Sequence, residues 1–511
     1  MSTEATGRRT YGNISTLEVP GVLGLSMAGT VMGGIGAGVA MILLWAAGAV
    51  IPAIVVLALT VPAVWLVHSK DRDGRSRLEK SIAMRLHRRS KKNGHDRYVA
   101  GPASQIPGGS YRAPGLLAST ELMEARTSFG DPFVMVWNPA TQTGSVLMGT
   151  SSAGTGLRDQ QEVDLLVDAW SAFQRDAGSV ASLVQVSVTT QTTADPGERL
   201  RDAVSIAQRQ TGGNTTSDYS AGVMDEVVSD LSRWTPRVEQ WITMTFSARE
   251  TSDGSVPQRD AEELAREIGS LIPGFADLAG RSGGGAVQFL NSVDVTDSTH
   301  VAYNPLAAAA VERARLAEGT GLSWEEVGPT FAQQETSPLS HWSHAGAVSK
   351  SWQMFRPPNG TFRESGLGAL LGPDDEFMQK RVTVFYRPSD PETSQREVNS
   401  RITNAEFAMN QKNHKISAGE RLAVRKAHQA AEEQTVGAAM VRFALIVTVT
   451  VESAADLPKA AASIRQRASQ GIQIRLRDCL ANDDAAFAMN LGLGIVPARA
   501  ATIAESIRRA L

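Results

Sequence analysis

The sequence predicts an α/β (α+β) protein that has an N-terminal transmembrane helical hairpin and two cytoplasmic α/β subdomains, the second ferredoxin-like. Three observations carry this prediction. Residues 19–67 contain no charged side chain, strand and helix patterns alternate over residues 98–335, and a β-αα-β-α-β order follows residue 336. The predicted division is an N-terminal tail (1–18), the hairpin (19–67), a basic juxtamembrane segment (68–97), a first cytoplasmic domain (98–335) and a second (336–511).

The uncharged stretch is long enough for two membrane helices. It lacks Asp, Glu, Lys, Arg and His, and a bilayer span needs about 20 apolar residues. We expect helices at about Gly21–Trp45 and Val50–Val67, with Pro52 in the first turn of the second, where proline is tolerated. A buried hairpin in a soluble core is disfavoured because neither helix has a polar face. A secretory signal peptide would be shorter.

Glycines in the first predicted helix are spaced for close helix packing. Gly29 and Gly33 are four residues apart, as are Gly34 and Gly38. In lipid such spacing lets two helix backbones approach closely. The partner is either the second helix of the same chain, which we favour, or another membrane subunit.

The distribution of charge predicts the orientation. The net charge is −3, but residues 70–97 hold eleven Lys or Arg against four Asp or Glu, so the remainder carries −10. This basic run follows the second helix, and Arg8 and Arg9 precede the first. The positive-inside rule therefore predicts a plasma-membrane protein with both termini and the soluble domains in the cytoplasm. The single cysteine, Cys479, excludes an internal disulfide and is typical of a reducing compartment.

The basic segment predicts an amphipathic helix at about Lys70–Lys92, with Leu78, Ile82 and Leu86 on one face. Attraction to anionic lipid headgroups, worth about 1 kcal/mol per basic residue, is the favoured interpretation. Nucleic-acid contact is the alternative, although the acidic remainder of the chain is unlike a broad DNA-binding groove.

Hydrophobic periodicity predicts the elements of the soluble part. In the first domain we expect strands at 133–137, 145–148, 182–189, 238–247 and 287–295, and helices at 160–176, 197–210, 224–233, 256–271 and 307–317. Residues 336–348 are interpreted as a boundary. In the second domain we expect strands at 381–387, 441–451 and 472–477, about fifty helical residues between the first two strands, and helices at 456–467, 483–489 and 499–511.

The sequence motifs predict no catalytic, cofactor-binding or metal site, and hence no enzyme. The dipeptide Gly-Lys does not occur, so the phosphate-binding loop Gly-x-x-x-x-Gly-Lys-Ser/Thr is absent. The sequences Gly366-Leu367-Gly368 and Gly492-Leu493-Gly494 resemble dinucleotide-binding loops only in part and are interpreted as turns or helix ends.

Three other patterns are also interpreted as structural features and not as functional sites. The segment at residues 280–284 matches a nucleophile elbow in sequence, but it lies between a helix and a strand, the reverse of the required order. His341 and His344 lack the partners of a zinc site. The acidic pairs Asp374-Asp375 and Asp483-Asp484 fall near predicted helix starts, where carboxylates stabilise exposed N–H groups.

Several short motifs, in order along nearly the whole chain, resemble a known family. They are Arg9-Thr10-Tyr11-Gly12 before the hairpin, Asp71-Arg72-Asp73-Gly74-Arg75 after it, Gly101-Pro102, Pro107-Gly108-Gly109, Pro114-Gly115-Leu116-Leu117-Ala118, Glu124-Ala125-Arg126, Trp352-Gln353-Met354-Phe355-Arg356-Pro357-Pro358 and Arg381-Val382-Thr383-Val384-Phe385-Tyr386-Arg387-Pro388. Together they resemble actinobacterial membrane proteins of conjugative type IV secretion gene sets. The soluble part is also similar to the membrane-proximal half of the conjugation motor ATPase, with residues 486–494 where that half ends.

The resemblance implies a non-enzymatic inner-membrane scaffold or adaptor, with the motor domain absent. Its expected partners are membrane lipids, a separate secretion motor ATPase for DNA or protein transfer, and other membrane secretion subunits in an oligomeric complex. Contact with nucleic acid is expected to be indirect. The alternatives are a membrane subunit of a type VII secretion complex, a membrane-bound enzyme whose site leaves no sequence pattern, and a DNA-contacting coupling subunit.

Overall fold

The structure is a computed structural model. It describes residues 2–3, 9–10, 27–71, 73–102, 104, 106, 109–152, 154, 156, 158–195, 197–210, 217–234, 236–250, 257–358, 362–373, 376–389, 391–410, 418–435 and 441–497. The predicted helix at 499–511 lies outside these residues.

Strands and helices alternate after an N-terminal region that is mostly helical. The strands are β1 (Ser2–Thr3), β2 (Arg9–Thr10), β3 (Arg97–Val99), β4 (Glu121–Arg126), β5 (Pro132–Asn138), β6 (Thr143–Thr150), β7 (Leu183–Thr193), β8 (Arg237–Ser247), β9 (Val287–Phe289), β10 (Phe331–Glu335), β11 (His341–His344), β12 (Ala347–Arg356), β13 (Gln379–Pro388), β14 (Val441–Val451) and β15 (Arg475–Asp478). The helices are α1 (Met27–Ala47), α2 (Val50–His68), α3 (Arg77–Lys92), α4 (Gln160–Ser179), α5 (Glu198–Gln210), α6 (Asp218–Trp234), α7 (Ala261–Ala279), α8 (Ser292–Tyr303), α9 (Ala308–Ala317), α10 (Gly368–Leu371), α11 (Pro391–Asn410), α12 (Ala418–Thr435), α13 (Leu457–Ser469) and α14 (Asp483–Asn490).

Helices α1 and α2 pack against each other as a hairpin. Small residues make the contact: Ala40 and Ala53 are buried, and a Cβ added to Gly36 would overlap the Thr60 side chain. Gly34 and Gly38 face open space instead, so only some of the predicted glycine contacts lie within the chain. Within the described residues, no helix has both the length and the apolarity needed to cross a bilayer.

Helix α3 joins the hairpin to the part of the chain that forms the sheet. It begins with a reciprocal capping box, in which the Ser76 hydroxyl accepts from the Glu79 N–H and the Glu79 carboxylate accepts from the Ser76 N–H. The Arg77 guanidinium lies 4.5 Å from the centre of the Trp65 ring of α2. Gly74, in the connection between α2 and α3, packs against the Phe355 ring of β12. The hairpin is therefore attached near the end of β12.

Among the described residues, thirteen strands form one sheet, in which every named strand pair is antiparallel. The order is β3-β10-β11-β12-β14-β13-β7-β8-β6-β5-β4. In addition, β15 pairs with the C-terminal part of β12, and β9 pairs with β6. The predicted mixed α/β class is confirmed. The predicted boundary after residue 335 falls in the connection between β10 and β11, and β13 from beyond that boundary pairs with β7 from before it.

The same order of elements occurs twice along the chain. Strands β4-β5-β6, helix α4, strand β7, helices α5-α6, strand β8, helix α7, strand β9 and helix α8 correspond to β10-β11-β12, α10, β13, α11-α12, β14, α13, β15 and α14. The strand order within the halves also matches. When the four strands of each half are numbered 1 to 4 along the chain, both β9-β6-β8-β7 and β15-β12-β14-β13 give the spatial order 4-1-3-2. The halves meet through β7 and β13. This duplication was not predicted.

Three apolar cores in the described part of the chain hold the sheet between helices. One lies under α4 and α7 in the first half, and a second lies under α10 and α13 in the second half. The third covers the opposite face, where α8, α14 and residues 491–495 pack on β5, β6 and β11. Tyr303 of α8 and Phe487 of α14 meet there, with ring centres 5.3 Å apart.

The predicted strand at 287–295 is wrong in part, and residues 336–348, interpreted as a boundary, contain regular structure. The predicted strand at 287–295 ends at Phe289, because the Asn291 side chain accepts from the Asp294 N–H and begins α8. The predicted boundary at 336–348 is a strand hairpin, β11 and β12, whose side chains are largely buried.

Candidate functional site

The two Gly-Leu-Gly segments have packing roles. Gly492 and Gly494 have φ of +68° and +81° and lie directly on the sheet, where an added Cβ would overlap Thr189 Oγ1 and Ser145 Oγ respectively. The Thr243 hydroxyl donates to the Gly492 carbonyl at 2.5 Å. Gly366 packs equally tightly on Ile472. Since sheet atoms occupy this space at residues 492 and 494, a phosphate group does not fit between that loop and the strands.

The segment at residues 280–284 ends α7 and leads towards β9, the reverse of a nucleophile elbow. Its Ser282 hydroxyl donates to the Ala279 carbonyl at 2.9 Å, as a helix-terminal serine does. The turn is completed by Gly283, whose φ is +99°. This serine therefore lacks the strand-to-helix setting that presents a nucleophile.

The predicted histidine pair is buried in β11. The His344 ring nitrogens lie 2.6 Å from the Tyr303 carbonyl and 2.7 Å from Ser349 Oγ, and burial lowers the pKa of His344 to about 4. His341 Nδ1 lies 2.7 Å from the Leu339 carbonyl. No group of three or more His, Cys, Asp or Glu side chains that could hold a metal ion occurs in the described residues.

Asp483 anchors the start of α14 in a buried polar network. Its carboxylate accepts from the Ser351 N–H at 3.0 Å, from Gln334 Nε2 at 3.2 Å and from the Ser340 hydroxyl. Burial raises its pKa to about 6, although the charge of Lys350 and these hydrogen bonds oppose the shift. The network joins β10, β11 and β12 to α14, which is a structural role. The other acidic pair, Asp374-Asp375, lies outside the described residues.

Lys350 and Cys479 belong to the same buried region. The Lys350 ammonium donates to the Ser340 carbonyl at 2.7 Å and lies 3.5 Å from Asp478 Oδ2. Burial raises the pKa of the Cys479 thiol, so it stays protonated. A protonated, enclosed thiol is a poor nucleophile.

A large cleft lies where the two halves of the sheet meet. It consists of two adjoining cavities of about 630 and 610 Å³ that share Arg199, Arg237, Glu239, Ser298 and Arg315. Strands β7, β8 and β13 form its floor, and helices α5, α8 and α9 form its walls. We call it the junction cleft. Pockets in proteins occur preferentially at such junctions.

Acidic side chains outnumber basic ones in the junction cleft. Among its described lining residues, six carboxylates and three guanidinium groups face it. Glu312 Oε1 lies 2.8 Å from Arg199 Nε and 3.3 Å from Arg237 Nη1. Arg315 pairs with Asp294 and lies 3.1 Å from Asp297 Oδ2. The cleft is therefore net acidic.

A polar chain connects the cleft to the centre of the sheet. Arg381 is buried on β13, and its Nε donates to Gln191 Oε1 at 2.9 Å. Gln191 Nε2 donates to Glu239 Oε2 at 3.4 Å, and Glu239 pairs with Arg237. Burial lowers the pKa of Arg381 to about 10, and the nearby Glu239 carboxylate opposes this shift.

Sequence reasoning missed the junction cleft because its residues are far apart in the chain. They come from positions between 147 and 493, and no short motif joins them. One pattern could have pointed to it: Arg237 and Glu239 alternate on one face at the start of a strand, an unusual place for two charges.

No protein-family model matches the chain, and no curated protein is similar to it at a significant level.

Proposed function

We propose that this protein is a membrane-anchored, non-enzymatic scaffold or adaptor of a conjugative type IV secretion system, which docks a separate motor ATPase at the cytoplasmic face of the plasma membrane. The observation that carries the proposal is the hairpin of α1 and α2, which presents large apolar side chains outward and is fixed through α3 to a duplicated sheet.

The outer surface of the hairpin supports membrane anchoring. Ile35, Ile42, Ile51 and Leu59 are between 64% and 77% exposed, and the stretch around them carries no charge. Transfer of each such side chain from water to lipid is worth about 1.5–3 kcal/mol. Together these residues favour burial of the hairpin surface in lipid.

Helix α3 supports an orientation with the sheet on the cytoplasmic side. Ile82 and Leu86 are exposed one turn apart, and Arg85 and Arg89 are exposed beside them. This face combines apolar and basic side chains, as a helix at an anionic membrane surface does. Because the connection before α3 packs on the end of β12, the sheet would lie next to the membrane on its cytoplasmic side.

The soluble part supports a docking role more than a catalytic one. Each half is interpreted as a ferredoxin-like unit with a helical pair inserted between its second and third strands, α5-α6 in one and α11-α12 in the other. Because β7 and β13 are antiparallel, the two helical pairs leave the sheet at opposite ends. The sequence has no phosphate-binding loop, so the energy for transport would come from the separate motor.

The anchoring step is tested by replacing exposed residues of the hairpin. We expect Ile35→Lys, Ile42→Lys and Leu59→Lys together to release the protein from membranes washed with alkaline carbonate, whereas the same three positions changed to Ala keep it bound. Because these side chains are exposed, neither set disturbs the contact between α1 and α2. Wild-type protein that is recovered in the soluble fraction would refute the anchor.

A further inference from the structure

Helix α6 carries an apolar stripe that the described part of the chain leaves exposed. Tyr219, Val223 and Val227 stand four residues apart and therefore lie on one face of the helix. Tyr219 is 82% exposed, and Val223 and Val227 are 41% and 43% exposed. Val228 is buried, but it lies on a different face. We call the three exposed residues the α6 stripe.

The second half of the sheet shows that this exposure is not a requirement of the architecture. The equivalent helices α11 and α12 pack along much of their length, whereas α5 and α6 meet at only a few residues. Val398 and Ala427 are buried in that pair, and among its described side chains no large apolar residue is exposed. The α5-α6 pair therefore has room for a further helix, whose side chains would pack between ridges spaced four residues apart.

The charges on α6 narrow the chemistry of the partner. The helix holds four carboxylates against one guanidinium group. Glu226 and Asp230 are exposed and follow Val223 and Val227 by three residues, so they lie beside the stripe. Anionic lipid, nucleic acid and the α6 of a second copy would all be repelled by these charges. The complementary surface is a helix with one apolar face flanked by Lys or Arg.

The α5-α6 pair leaves the sheet at the end remote from the hairpin. Gly74 packs on Phe355 near the C-terminal end of β12. The strand registers place Thr193, the last residue of β7, in one row with Ser349 near the start of β12. Six residues of β12 separate that row from Phe355, which is about 20 Å along a strand. In a membrane-anchored chain the α6 stripe is therefore on the cytoplasmic side, and the basic helix α3 of a neighbouring copy is at the opposite end of the sheet.

We propose that the α6 stripe docks a basic amphipathic helix of a partner protein. Burial of the three apolar side chains provides affinity, and the carboxylates beside them attract and orient the basic flank of the partner helix. The identity of that partner as the secretion motor rests on the proposed function, whereas the chemistry of the docked helix does not.

The experiment is photocrosslinking of the full-length protein in membranes of cells that carry its neighbouring genes. Benzoylphenylalanine replaces Tyr219 in one sample. In the matched control it replaces Phe129, an aromatic residue that is 80% exposed in the turn between β4 and β5. We expect mass spectrometry to find, from the Tyr219 position alone, a crosslinked segment of another protein that has helical apolar spacing and an excess of Lys and Arg.

Four results would overturn the proposal. They are a crosslinked segment that is not basic, a crosslink to lipid or nucleic acid, a crosslink to a second copy of this chain, and a yield at Tyr219 no higher than at Phe129.

Variants locate the contact on the stripe, with the crosslinker kept at Tyr219. We expect Glu226→Lys to lower the yield of the crosslink about threefold, because an exposed attraction becomes a repulsion. Asp225→Lys is the matched control, since Asp225 is also exposed but lies on the opposite face, and its yield should not change. Val223→Ser should lower the yield about fivefold through lost apolar burial. Unchanged yields in both Glu226→Lys and Val223→Ser, or an equal loss in Asp225→Lys, would contradict the assignment.

The result is separable from the proposed function. If Tyr219 crosslinks to a basic amphipathic helix but no motor ATPase co-purifies with the chain, the α6 assignment stands and the secretion role fails. If the motor co-purifies and Tyr219 gives no such crosslink, the α6 assignment fails alone.

Discussion

Replacement of Asp483 by asparagine should change how the stability of the C-terminal region depends on pH. The pKa of this buried carboxyl group is raised from 3.8 to about 6, a difference of roughly 2 units that corresponds to about 3 kcal/mol. The folded state therefore holds the proton more tightly than the unfolded state. As the pH rises from about 4 through 6, the free energy of unfolding of this region falls by up to about 3 kcal/mol and then levels off.

Asparagine cannot ionise, so the Asp483→Asn variant lacks this pH dependence. It can still accept from the Ser351 N–H, but its amide group would face the Gln334 donor that the carboxylate now satisfies. We expect the variant to be less stable than the wild type near pH 4, and the difference to shift by up to about 3 kcal/mol in favour of the variant by pH 7.

The assay is hydrogen exchange with mass spectrometry on the full-length protein in detergent, corrected for the intrinsic pH dependence of exchange. The peptides to follow cover α14 and residues 491–496, because opening of the Asp483 network releases both. Asp159→Asn is the matched control, since the Asp159 side chain is exposed and makes no cap hydrogen bond. A difference between wild type and Asp483→Asn that stays constant from pH 4 to pH 7 would refute the reasoning.

Three further predictions concern the hairpin, the C-terminal segment and α3. Gly36→Leu should destabilise the hairpin by about 1–3 kcal/mol in thermal unfolding, because its side chain would overlap α2, whereas Gly34→Leu, which faces open space, should not. Gly494→Ala should increase proteolysis of the C-terminal segment, because its φ is positive and its Cβ would overlap Ser145; unchanged cleavage would contradict the packing. Neutralising three arginines within residues 77–92 should weaken binding to anionic vesicles by about 1 kcal/mol each, and added salt should reduce the wild-type affinity in the same direction; salt-independent binding would argue against this face.

The strongly periodic elements after α3 could be predicted from the sequence. Strands β7, β8, β13 and β14 and helices α4, α5 and α13 follow the expected positions closely, because their apolar residues alternate or recur at helical spacing. Helix α7 was expected at 256–271 but lies at Ala261–Ala279, and α6 begins six residues before its expected start. The order after residue 381 was sufficient to predict the elements from β13 to α14, whereas β10, β11, β12 and α10 of the same half were not predicted. What local patterns could not reveal was that an equivalent order exists in the first half, since the two halves share topology without a visible sequence repeat.

Features that depend on distant residues could not be predicted. The hairpin of β11 and β12 was missed because its polar residues look like a surface loop in sequence. In the structure they are buried and paired: His344 contacts Ser349, and Lys350 contacts the Ser340 carbonyl and Asp478. The glycines at 492 and 494 were interpreted as part of a turn or helix end, but their contact with the sheet depends on Ser145 and Thr189, which lie far earlier in the chain. The junction cleft is hidden for the same reason.

The central claim is that this chain is a tethered scaffold whose driving force comes from another polypeptide. The most direct measurement is purification of the tagged chain in mild detergent from cells that carry its neighbouring genes, followed by identification of the bound proteins. We predict that a separate motor ATPase co-purifies from the membrane fraction. Recovery of the chain from that fraction without any ATPase would contradict the account.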